Sequence, residues 1–264
     1  MITEPDAAMR TGRLRGKVAL VTGAPRSIGR AIAQSLADDG ARVVVHYRSR
    51  RDEADATVAA LRESGAEAIA IGGDLSDSAN VVALFAEAQA AFGGIDIVVA
   101  NAGATTALSP VADISDEDFD RLLSANTRAT FYVLRQAART VRDGGRIINI
   151  SSSSVRFTPA GFGAYATSKT GANTTIGVLA NELGARGITA NSIMAGPIAA
   201  GFLDPSNDAV RNAPKGMMEA MAAFAPAGRL GLPSDIGPIA AFLASSEAGW
   251  INGQVILTNN GGNG

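Results

Sequence analysis

Continuous apolar runs alternate with segments of helical periodicity along most of this chain. The first run, Lys17–Val21, ends at Thr22-Gly23, and after a turn at 23–29 the chain has helical spacing over residues 30–37. A parallel strand buried on both faces has such a continuous apolar run, and Gly40 suits the position just after a helix. With a second apolar run at 41–47, the pattern predicts a strand–helix–strand unit of about 30 residues.

The alternation continues towards the C-terminus without a break in composition. Ser115, followed by three acidic residues, is typical of a helix N-terminus. We therefore expect an α/β protein with a single-domain, Rossmann-type doubly wound fold, in which about seven mainly parallel strands are flanked by helices. Further helices are predicted over 52–64, 78–92, 115–142, 163–185 and 233–245, and further strands over 67–72, 95–100, 146–150, 188–193 and 254–258.

Two segments fall outside this alternation. Residues 1–16 are polar and charged, so we expect a flexible N-terminal extension ahead of one domain at 17–264. Residues 195–226 contain Gly, Pro, Asn and Met without a clean period, and we expect them to form a lid over the substrate. The methionines favour an adaptable apolar pocket, although the same residues would also serve as core packing beneath a loop.

Composition narrows the possible chemistry. The net charge of −2 gives no electrostatic reason to expect nucleic acid or an anionic membrane as a partner. No apolar run is long enough to span a bilayer, and residues 1–16 lack the apolar core of a signal peptide. The chain has no cysteine and a single histidine, His46, which excludes thiolate metal sites and cysteine nucleophiles. We expect a cytoplasmic protein with no metal site.

Tyr165 and Lys169 lie four residues apart in a segment predicted to be helical. Residues with this spacing share one face of a helix, so the phenol and the ammonium group can converge on one point. A nearby cation favours the phenolate and lowers the pKa of a tyrosine from its usual value of about 10. The pair therefore suits a proton donor and acceptor that works closer to neutral pH, although a Tyr and a Lys with this spacing also occur often on solvated helix faces.

Most other distinctive residues follow predicted strands. Residues 23–29 follow the first strand, Asp74 the third, Asn101-Ala102-Gly103 the fourth and Ser151-Ser152 the fifth. The carboxyl ends of parallel strands meet at one edge of a sheet, which is where such folds bind ligands. A glycine-bearing turn between a strand and a helix is also the setting in which a dinucleotide pyrophosphate lies on a helix N-terminus.

In this order and spacing, the motifs resemble those of the short-chain dehydrogenase/reductase family, over about Leu14 to Gly262. Ser152 lies thirteen residues before Tyr165, the usual interval in that family, which favours it over Ser151, Ser153 and Ser154. The matching pieces are Thr22-Gly23-x-x-x-Ser27-x-Gly29, Asp74-Leu75, Asn101-Ala102-Gly103, Asn126, Ser152, Tyr165-x-x-x-Lys169, Asn191-Ser192-Ile193 and Trp250-Ile251-Asn252-Gly253.

The resemblance implies four catalytic residues. Tyr165 would be the general acid in ketone reduction and the general base in alcohol oxidation, with its pKa lowered by Lys169. Lys169 would also bond the nicotinamide ribose, and Ser152 would hydrogen-bond the substrate oxygen. Asn126 would hold a water that connects Lys169 to solvent. The alternatives are that Asn126 only bonds backbone and that Ser152 only caps a turn.

The cofactor type is indicated at the end of the second strand. The family position that carries an acid in NAD enzymes aligns with Tyr47, and no acid lies between Ala41 and Arg51. Arg26 and Arg48 can instead bind a ribose 2′-phosphate, so we expect NADP(H), although the arginines would also suit a solvated basic loop. Asp74 resembles the adenine contact, or is a helix N-cap. The expected cofactor-binding residues are Gly23, Arg26, Ser27, Ile28, Gly29, Tyr47, Arg48, Asp74, Leu75, Asn101, Ala102, Gly103, Tyr165, Lys169, Pro197 and Ile198.

Four positions depart from the family pattern. Ser27 replaces the middle glycine and could give its hydroxyl to a phosphate. Ala100 replaces the first Asn of Asn-Asn-Ala-Gly, which leaves Asn101 to make the structural bonds alone. Ala195 and Ala200 stand where Pro and Thr are usual. The two alanines lead us to expect a looser nicotinamide end and a mobile lid.

The resemblance implies a carbonyl reductase, or ketoreductase, that uses NADPH on a ketone and its secondary alcohol. Residues 126–128 and 232–255 look like the polyhydroxynaphthalene and 3-oxoacyl reductase branches. A sugar or polyol dehydrogenase is the enzymatic alternative, and an NADP-binding regulatory protein is the alternative of another class. The family also implies a homotetramer, in which the helices from about Ser115 and Gly163 pair between subunits.

Overall fold

A computed structural model of the protein describes residues 12–105, 108–203 and 216–262. Its centre is one sheet of seven strands in the order β3-β2-β1-β4-β5-β6-β7. Every neighbouring pair is parallel, and the direction of winding reverses between β1 and β4, so the predicted doubly wound Rossmann-type fold is confirmed. The strands are β1 Val18–Val21, β2 Arg42–Tyr47, β3 Ala68–Gly72, β4 Ile95–Ala100, β5 Val141–Ser152, β6 Thr189–Ala195 and β7 Val255–Thr258.

Helices cover both faces of the sheet. Gly40 follows α1 with a φ of +93°, which is the left-handed conformation expected just after a helix. Ser115 accepts a hydrogen bond from the Asp118 amide and caps α4, as its sequence predicts. The α-helices are α1 Ser27–Asp38, α2 Arg51–Glu63, α3 Ser78–Phe92, α4 Asp116–Leu122, α5 Ala129–Thr140, α6 Ser154–Phe157, α7 Gly163–Leu183, α8 Met217–Ala223 and α9 Pro233–Ala244; short 3₁₀ turns cover Val111–Asp113, Gly184–Arg186 and Gly201–Leu203.

The continuous apolar runs contribute side chains to two hydrophobic cores, one on each face of the sheet. In β1, Ala19 and Val21 face the core under α1, α2 and α9, whereas Leu20 faces the core under α3, α5 and α7. In β2, the first of these cores contains Val43 and Val45, and the second contains Val44. A strand that is covered on both faces has no solvent-exposed face, which is why β1 is apolar throughout and β4 is apolar except for Asp96.

The N-terminal boundary differs from the prediction. Leu14 is 1% exposed and belongs to the core, and its amide donates to the Asp39 carbonyl. Arg13 forms an ion pair with Asp39. Residues 12–16 are therefore part of the folded domain rather than of an extension, and residues 1–11 lie outside the described residues.

The helix predicted over 115–142 is not one regular helix. A π-helical segment, Leu123–Arg128, separates α4 from α5, and the helical region ends at Thr140. β5 then begins at Val141, earlier than the predicted residue 146, because Val141 pairs with Ile95 before the register shifts. A π-helical turn inserts one extra residue and commonly occurs at functional sites.

The segment expected to be a lid is only partly described. Residues 204–215 lie outside the described residues. The unpredicted helix α8 follows them, while Ile198 and Leu203 before them are buried. α8 lies next to the C-terminal turn, because the Ala227 amide after it donates to the Asn260 side chain at 2.8 Å. The expectation that the lid is mobile stays a prediction.

Candidate active site

A cleft of about 1330 Å³ opens at the carboxyl edge of the sheet. Every residue predicted from the sequence to be catalytic or to bind the cofactor lines this single cleft. The topology explains this, since β1 to β6 are parallel and end on the same side.

The glycine turn after β1 has no room for extra side chains at two positions. Gly23 has a φ of +62°, and a Cβ there would lie 2.9 Å from the Ala102 Cα. A Cβ on Gly29 would lie 2.3 Å from the Gly23 carbonyl oxygen. Ser27, at the position of the usual middle glycine, has a φ of +53°, in the left-handed region that costs a residue with a Cβ about 1 kcal/mol. The turn therefore keeps its glycine-like shape despite Ser27.

Asn101 makes the bonds between β4 and this turn, as expected from the loss of the family's first Asn. Its side-chain amide donates to the carbonyls of Thr22 at 2.9 Å and Gly23 at 3.1 Å. The Thr22 hydroxyl accepts from the amides of Asn101 at 2.9 Å and Ala102 at 3.0 Å. Thr22 therefore shares the role predicted for Asn101 alone.

His46 joins the turn to the next two strands. Its Nδ1 accepts from the Gly23 amide at 3.3 Å, and its Nε2 lies 3.0 Å from the Gly73 carbonyl. Because a carbonyl only accepts, the ring carries its proton on Nε2 and is neutral. Burial lowers the pKa of His46 to about 4, against the opposing effect of the Gly73 bond.

Two arginines stand exposed at this end of the cleft. Arg50 and Arg51 are engaged with acidic side chains of α2, whereas neither Arg26 nor Arg48 forms a salt bridge within the part of the chain that the structure describes. The Tyr47 ring packs closely on Gly72, where a Cβ would lie 2.9 Å from the ring. The acid-free end of β2 is therefore flanked by two available guanidinium groups.

Asp74 is not the N-cap of α3. That role belongs to Asp77, which accepts from the Ala79 amide at 2.8 Å. Asp74 accepts from the Ser76 amide at 2.9 Å, and the bonds with Ser76 hold the pKa of Asp74 below its ordinary value. Its carboxylate is thus held ionised in a tight turn at the rim of the cleft.

Ser152, Tyr165 and Lys169 meet at the other end of the cleft. Ser152 is the last residue of β5, and its hydroxyl forms a hydrogen bond with Tyr165. Lys169, one turn along α7, is buried and donates to the Ile150 carbonyl at 2.9 Å. Burial lowers the pKa of Lys169 to about 8. Tyr165 and Lys169, four residues apart on α7, both line the cleft, and their catalytic roles stay a prediction.

The expected direction of the Tyr165 pKa is wrong for this structure. Burial of the phenol raises the pKa of Tyr165 above its ordinary value, and the hydrogen bond with Ser152 opposes that rise. Lys169 contributes no lowering because its own pKa is lowered to about 8, so the ammonium group has lost its charge at the higher pH where the phenol would ionise. Tyr165 is therefore a neutral phenol, which suits a proton donor.

Asn126 lies in the π-helical segment and its amide is bound to protein groups. Oδ1 accepts from the Ala104 amide at 2.7 Å, and Nδ2 donates to the Ala104 carbonyl at 2.8 Å and to Ser168 Oγ at 2.9 Å. Both N–H groups are used, so this side chain bonds backbone, as in the alternative left open from the sequence. From the resemblance, Asn126 is expected to hold a water. On its side chain, only the second lone pair of Oδ1 is left to bind that water.

Several large apolar side chains line the cleft beside polar ones. Phe224 after α8 is 57% exposed, so this wall also offers a large apolar surface to a ligand. Of the methionines expected in the lid, Met221 lines the cleft and Met217 and Met218 do not. Arg229 reaches the rim, but Asp235 binds it through two hydrogen bonds. The apolar lining residues are Leu108, Phe157, Phe162, Met221 and Phe224.

Sequence reasoning missed three polar residues behind the site. His46 appeared only as the sole histidine, and Ser154 only as a rejected choice of catalytic serine. Ser168 was not singled out, yet it accepts from Asn126 and donates to the Tyr165 carbonyl at 2.7 Å. His46 and Ser168 each have a partner more than twenty residues away, which no local pattern marks, and Ser154 differs from its neighbouring serines only in its three-dimensional contacts.

The cleft suits a dinucleotide. It runs from Arg48 past the glycine turn to Tyr165, and Gly29 keeps open a space at the start of α1 that a side chain would fill. Backbone amides at a helix N-terminus attract phosphate groups. The fold and the site together define an oxidoreductase of the Rossmann type that acts on CH–OH or C=O groups.

Comparison with known proteins agrees with this class. Residues 23–263 match a family model described as enoyl-(acyl carrier protein) reductase. The chain is 41% identical over 255 residues to a hydroxynaphthalene reductase-like protein, Arp2, of Metarhizium brunneum, covering 94% of this chain and 95% of that protein.

Solved structures are similar over nearly the whole chain. A short-chain dehydrogenase of Burkholderia cenocepacia, in complex with NADP, has a TM-score of 0.86 and 35% identity, with 94% of this chain and 98% of that chain covered. The landomycin C-6 ketoreductase LanV, with bound NADP and rabelomycin, has a TM-score of 0.84 and 33% identity, with 96% and 98% covered. The chain belongs to the short-chain dehydrogenase/reductase family. Within the described residues, no helix has the length and apolarity needed to cross a membrane.

Proposed function

We propose that the protein is an NADPH-dependent carbonyl reductase that interconverts an apolar ketone and its secondary alcohol. The observation that carries this proposal is the cleft itself. Two hydroxyl groups, on Ser152 and Tyr165, meet at one end of it, and at the other end stand Arg26 and Arg48, whose guanidinium groups form no salt bridge with any residue that the structure describes.

The chain's own residues supply the proton chemistry. Bound NADPH would supply the hydride for the carbonyl carbon. Tyr165 is a neutral phenol and gives its proton to the carbonyl oxygen as negative charge develops there. Ser152 donates a hydrogen bond to the same oxygen and stabilises that charge. In the reverse direction the phenolate form of Tyr165 accepts the alcohol proton.

Lys169 and the opposite end of the cleft orient the cofactor. With its pKa lowered to about 8, Lys169 still carries a proton at neutral pH, and only one of its N–H groups is used by Ile150. The others are available for the nicotinamide ribose. Arg26 and Arg48 bind the 2′-phosphate, and Asp74 accepts from the adenine amine.

The apolar wall favours ketones over sugars. Phe157, Phe162 and Phe224 provide ring surfaces for a flat apolar substrate, whereas the hydroxyl groups of a sugar would find no hydrogen-bond partners on those rings. Arg229, which lines the cleft near these rings, is bound to Asp235, so it is not a free positive charge for a phosphorylated carrier.

NADPH consumption tests the proposal. Purified protein is assayed with polycyclic aromatic ketones, aliphatic ketones, aldehydes and a 2-enoyl thioester, and in reverse with NADP⁺ and polyols. We expect the highest kcat/KM with an aromatic ketone. A preference for polyols would support the sugar or polyol dehydrogenase instead. NADPH binding without turnover of any substrate would support an NADP-binding regulatory protein.

We further propose that the protein is a homotetramer. Phe131 on α5 is 47% exposed and Val178 on α7 is 48% exposed, which leaves apolar side chains on the two helices that pair between subunits in the family. Trp250 is fully exposed beside the edge strand β7, at a second surface. The cytoplasmic localisation expected from the sequence stays a prediction.

A further inference from the structure

Ser152 has a close polar neighbour that the mechanism above does not use. The Oγ atoms of Ser152 and Ser154 are 2.9 Å apart, and the Ser154 backbone amide donates to Ser152 Oγ at 3.3 Å. Ser154 is 5% exposed and begins α6, directly beyond the end of β5. The turn between β5 and α6 therefore places both the hydroxyl and the backbone amide of Ser154 against the Ser152 hydroxyl.

The number of hydroxyl hydrogens determines which serine is the donor in the Ser152–Ser154 hydrogen bond. A serine hydroxyl has one hydrogen and two lone pairs. Within the described part of the chain, Ser152 is the only hydrogen-bond partner of the Ser154 hydroxyl. If Ser152 donated to Ser154, the hydrogen of Ser154 would be left buried without an acceptor, which is unfavourable.

The opposite direction satisfies both residues. The Ser154 amide and hydroxyl then donate to the two lone pairs of Ser152 Oγ, and the Ser152 hydrogen is left to point into the cleft. There it meets the Tyr165 oxygen, and a bond in that direction favours the phenolate. A hydroxyl that accepts hydrogen bonds is also a stronger donor.

We propose that Ser154 is a positioning residue for catalysis: it fixes the hydroxyl hydrogen of Ser152 towards the substrate oxygen and Tyr165. The inference rests on the proposed carbonyl reduction for its kinetic consequence, but the geometry that it describes exists in the protein without substrate.

A double-mutant cycle tests this role on the best ketone found. We expect Ser154→Ala to lower kcat by about 5- to 30-fold with KM within twofold, because one hydrogen bond to the reacting group is lost. In the Ser152→Ala background the same change should have no further effect on kcat, since Ser154 acts only through Ser152. Ser154→Thr keeps the hydroxyl and should retain at least half of the activity.

Ser153→Ala is the matched control. Ser153 also lines the cleft and lies between the two serines, but no bond of its side chain occurs among the described residues. We expect wild-type kcat from it. A wild-type kcat for Ser154→Ala would overturn the proposal, and so would an equal loss from Ser154→Ala in both backgrounds, because Ser154 would then act independently of Ser152.

A measurement without substrate separates this inference from the proposed function. The Tyr165 phenol is titrated by ultraviolet absorbance, with Tyr165→Phe subtracted. Ser154→Ala should raise the pKa of Tyr165 by about half a unit, because Ser152 becomes a weaker donor, and Ser153→Ala should not. If the wild type reduces no carbonyl, the proposed function fails, and the titration alone decides the role of Ser154: an unchanged phenol pKa overturns it.

Discussion

At the scale of single residues, the site combines a desolvated phenol with a desolvated ammonium group. Both Tyr165 and Lys169 are shifted towards their neutral forms by burial, the first upwards and the second to about 8. Burial away from water disfavours the charged form of an ionisable group, so the neutral form is more stable there. The spacing of four alone suggests a tyrosine with a lowered pKa. In the structure, burial raises the pKa of Tyr165 and lowers that of Lys169.

Tyr165→Phe keeps the ring and removes the acid. We expect kcat for ketone reduction to fall by about 10²- to 10⁴-fold, the usual contribution of general acid catalysis. The Kd for NADPH, measured by fluorescence, should stay within a few-fold of wild type. Tyr132→Phe is the control, because Tyr132 lies on α5 outside the cleft. Near-normal turnover by Tyr165→Phe would mean that another residue donates the proton.

Arg48→Asp should move the cofactor preference towards NADH. The change removes a charge-assisted hydrogen bond to the 2′-phosphate and adds repulsion, so the ratio of kcat/KM for NADPH to that for NADH should fall by about 10- to 100-fold. Arg51→Asp makes the same charge change outside the cleft and should leave the ratio unchanged. Equal use of both cofactors by the wild type would contradict this assignment.

His46 should make the protein sensitive to mild acid. Its pKa is about 4 in the folded protein against 6.5 as its ordinary value. Below 6.5 the unfolded chain takes up a proton that the folded protein refuses until about 4, so the free energy of unfolding falls as pH decreases through this window. Protonation of His46 alone should lower the free energy of unfolding by about 2 kcal/mol between pH of about 7.5 and about 5.

Urea unfolding at the two pH values measures this loss. His46→Gln retains an acceptor and a donor but does not titrate, so the variant should lose about 2 kcal/mol less than the wild type. The single histidine also gives one set of imidazole signals in an NMR titration. Signals that titrate near pH 6.5 would show that the ring is not held neutral.

At the scale of elements, the π-helical segment Leu123–Arg128 connects the glycine-rich side of the cleft to α7. Asn126 binds the backbone of Ala104 on one side and Ser168 on the other, and the neighbouring Thr127 donates to the Ser168 carbonyl at 2.7 Å. The extra residue of a π turn thus places two consecutive side chains against the helix that carries Tyr165.

Asn126→Ala should destabilise the protein and loosen the loop after β4. The change leaves the partly buried Ala104 amide and carbonyl without their partner, at a cost of about 1–3 kcal/mol. We expect a lower free energy of unfolding and a higher KM for NADPH. Asn181→Ala removes an exposed amide that bonds only its own helix, and should have little effect. Unchanged stability in Asn126→Ala would show that water replaces the amide.

At the scale of the whole molecule, the surface carries apolar side chains on two separate faces. Phe131 and Val178 lie on α5 and α7, and Trp250 and Val255 lie at the edge of the sheet. Two different self-complementary surfaces are what a closed assembly of four subunits requires.

Light scattering at micromolar concentration should therefore give the mass of a tetramer. Phe131→Glu with Val178→Glu should reduce it to a dimer, because burial of the charges on α5 and α7 is unfavourable. Val82→Glu changes an exposed apolar residue of α3 and serves as the control. A monomeric wild type, with tryptophan emission typical of water, would contradict the assembly.

Much of the architecture could be predicted because it depends on local pattern. A strand buried on both faces needs a continuous apolar run, and a helix needs one apolar stripe, so β1, β4 and α3 are readable from a few neighbouring residues. The parallel topology then brings the ends of successive strands to one edge. The site residues that follow these strands, and the pair Tyr165 and Lys169, are determined by the sequence in this sense.

What only the tertiary structure decided are the contacts between residues far apart in the chain. The partners of Asn126, the tautomer of His46 and the burial of Leu14 each depend on an element more than twenty residues away. The pKa values of Tyr165 and Lys169 likewise follow from desolvation by the assembled cleft. Sequence periodicity reports which face of an element is buried, but it carries no information on which polar group will lie opposite, because that depends on how the elements pack together.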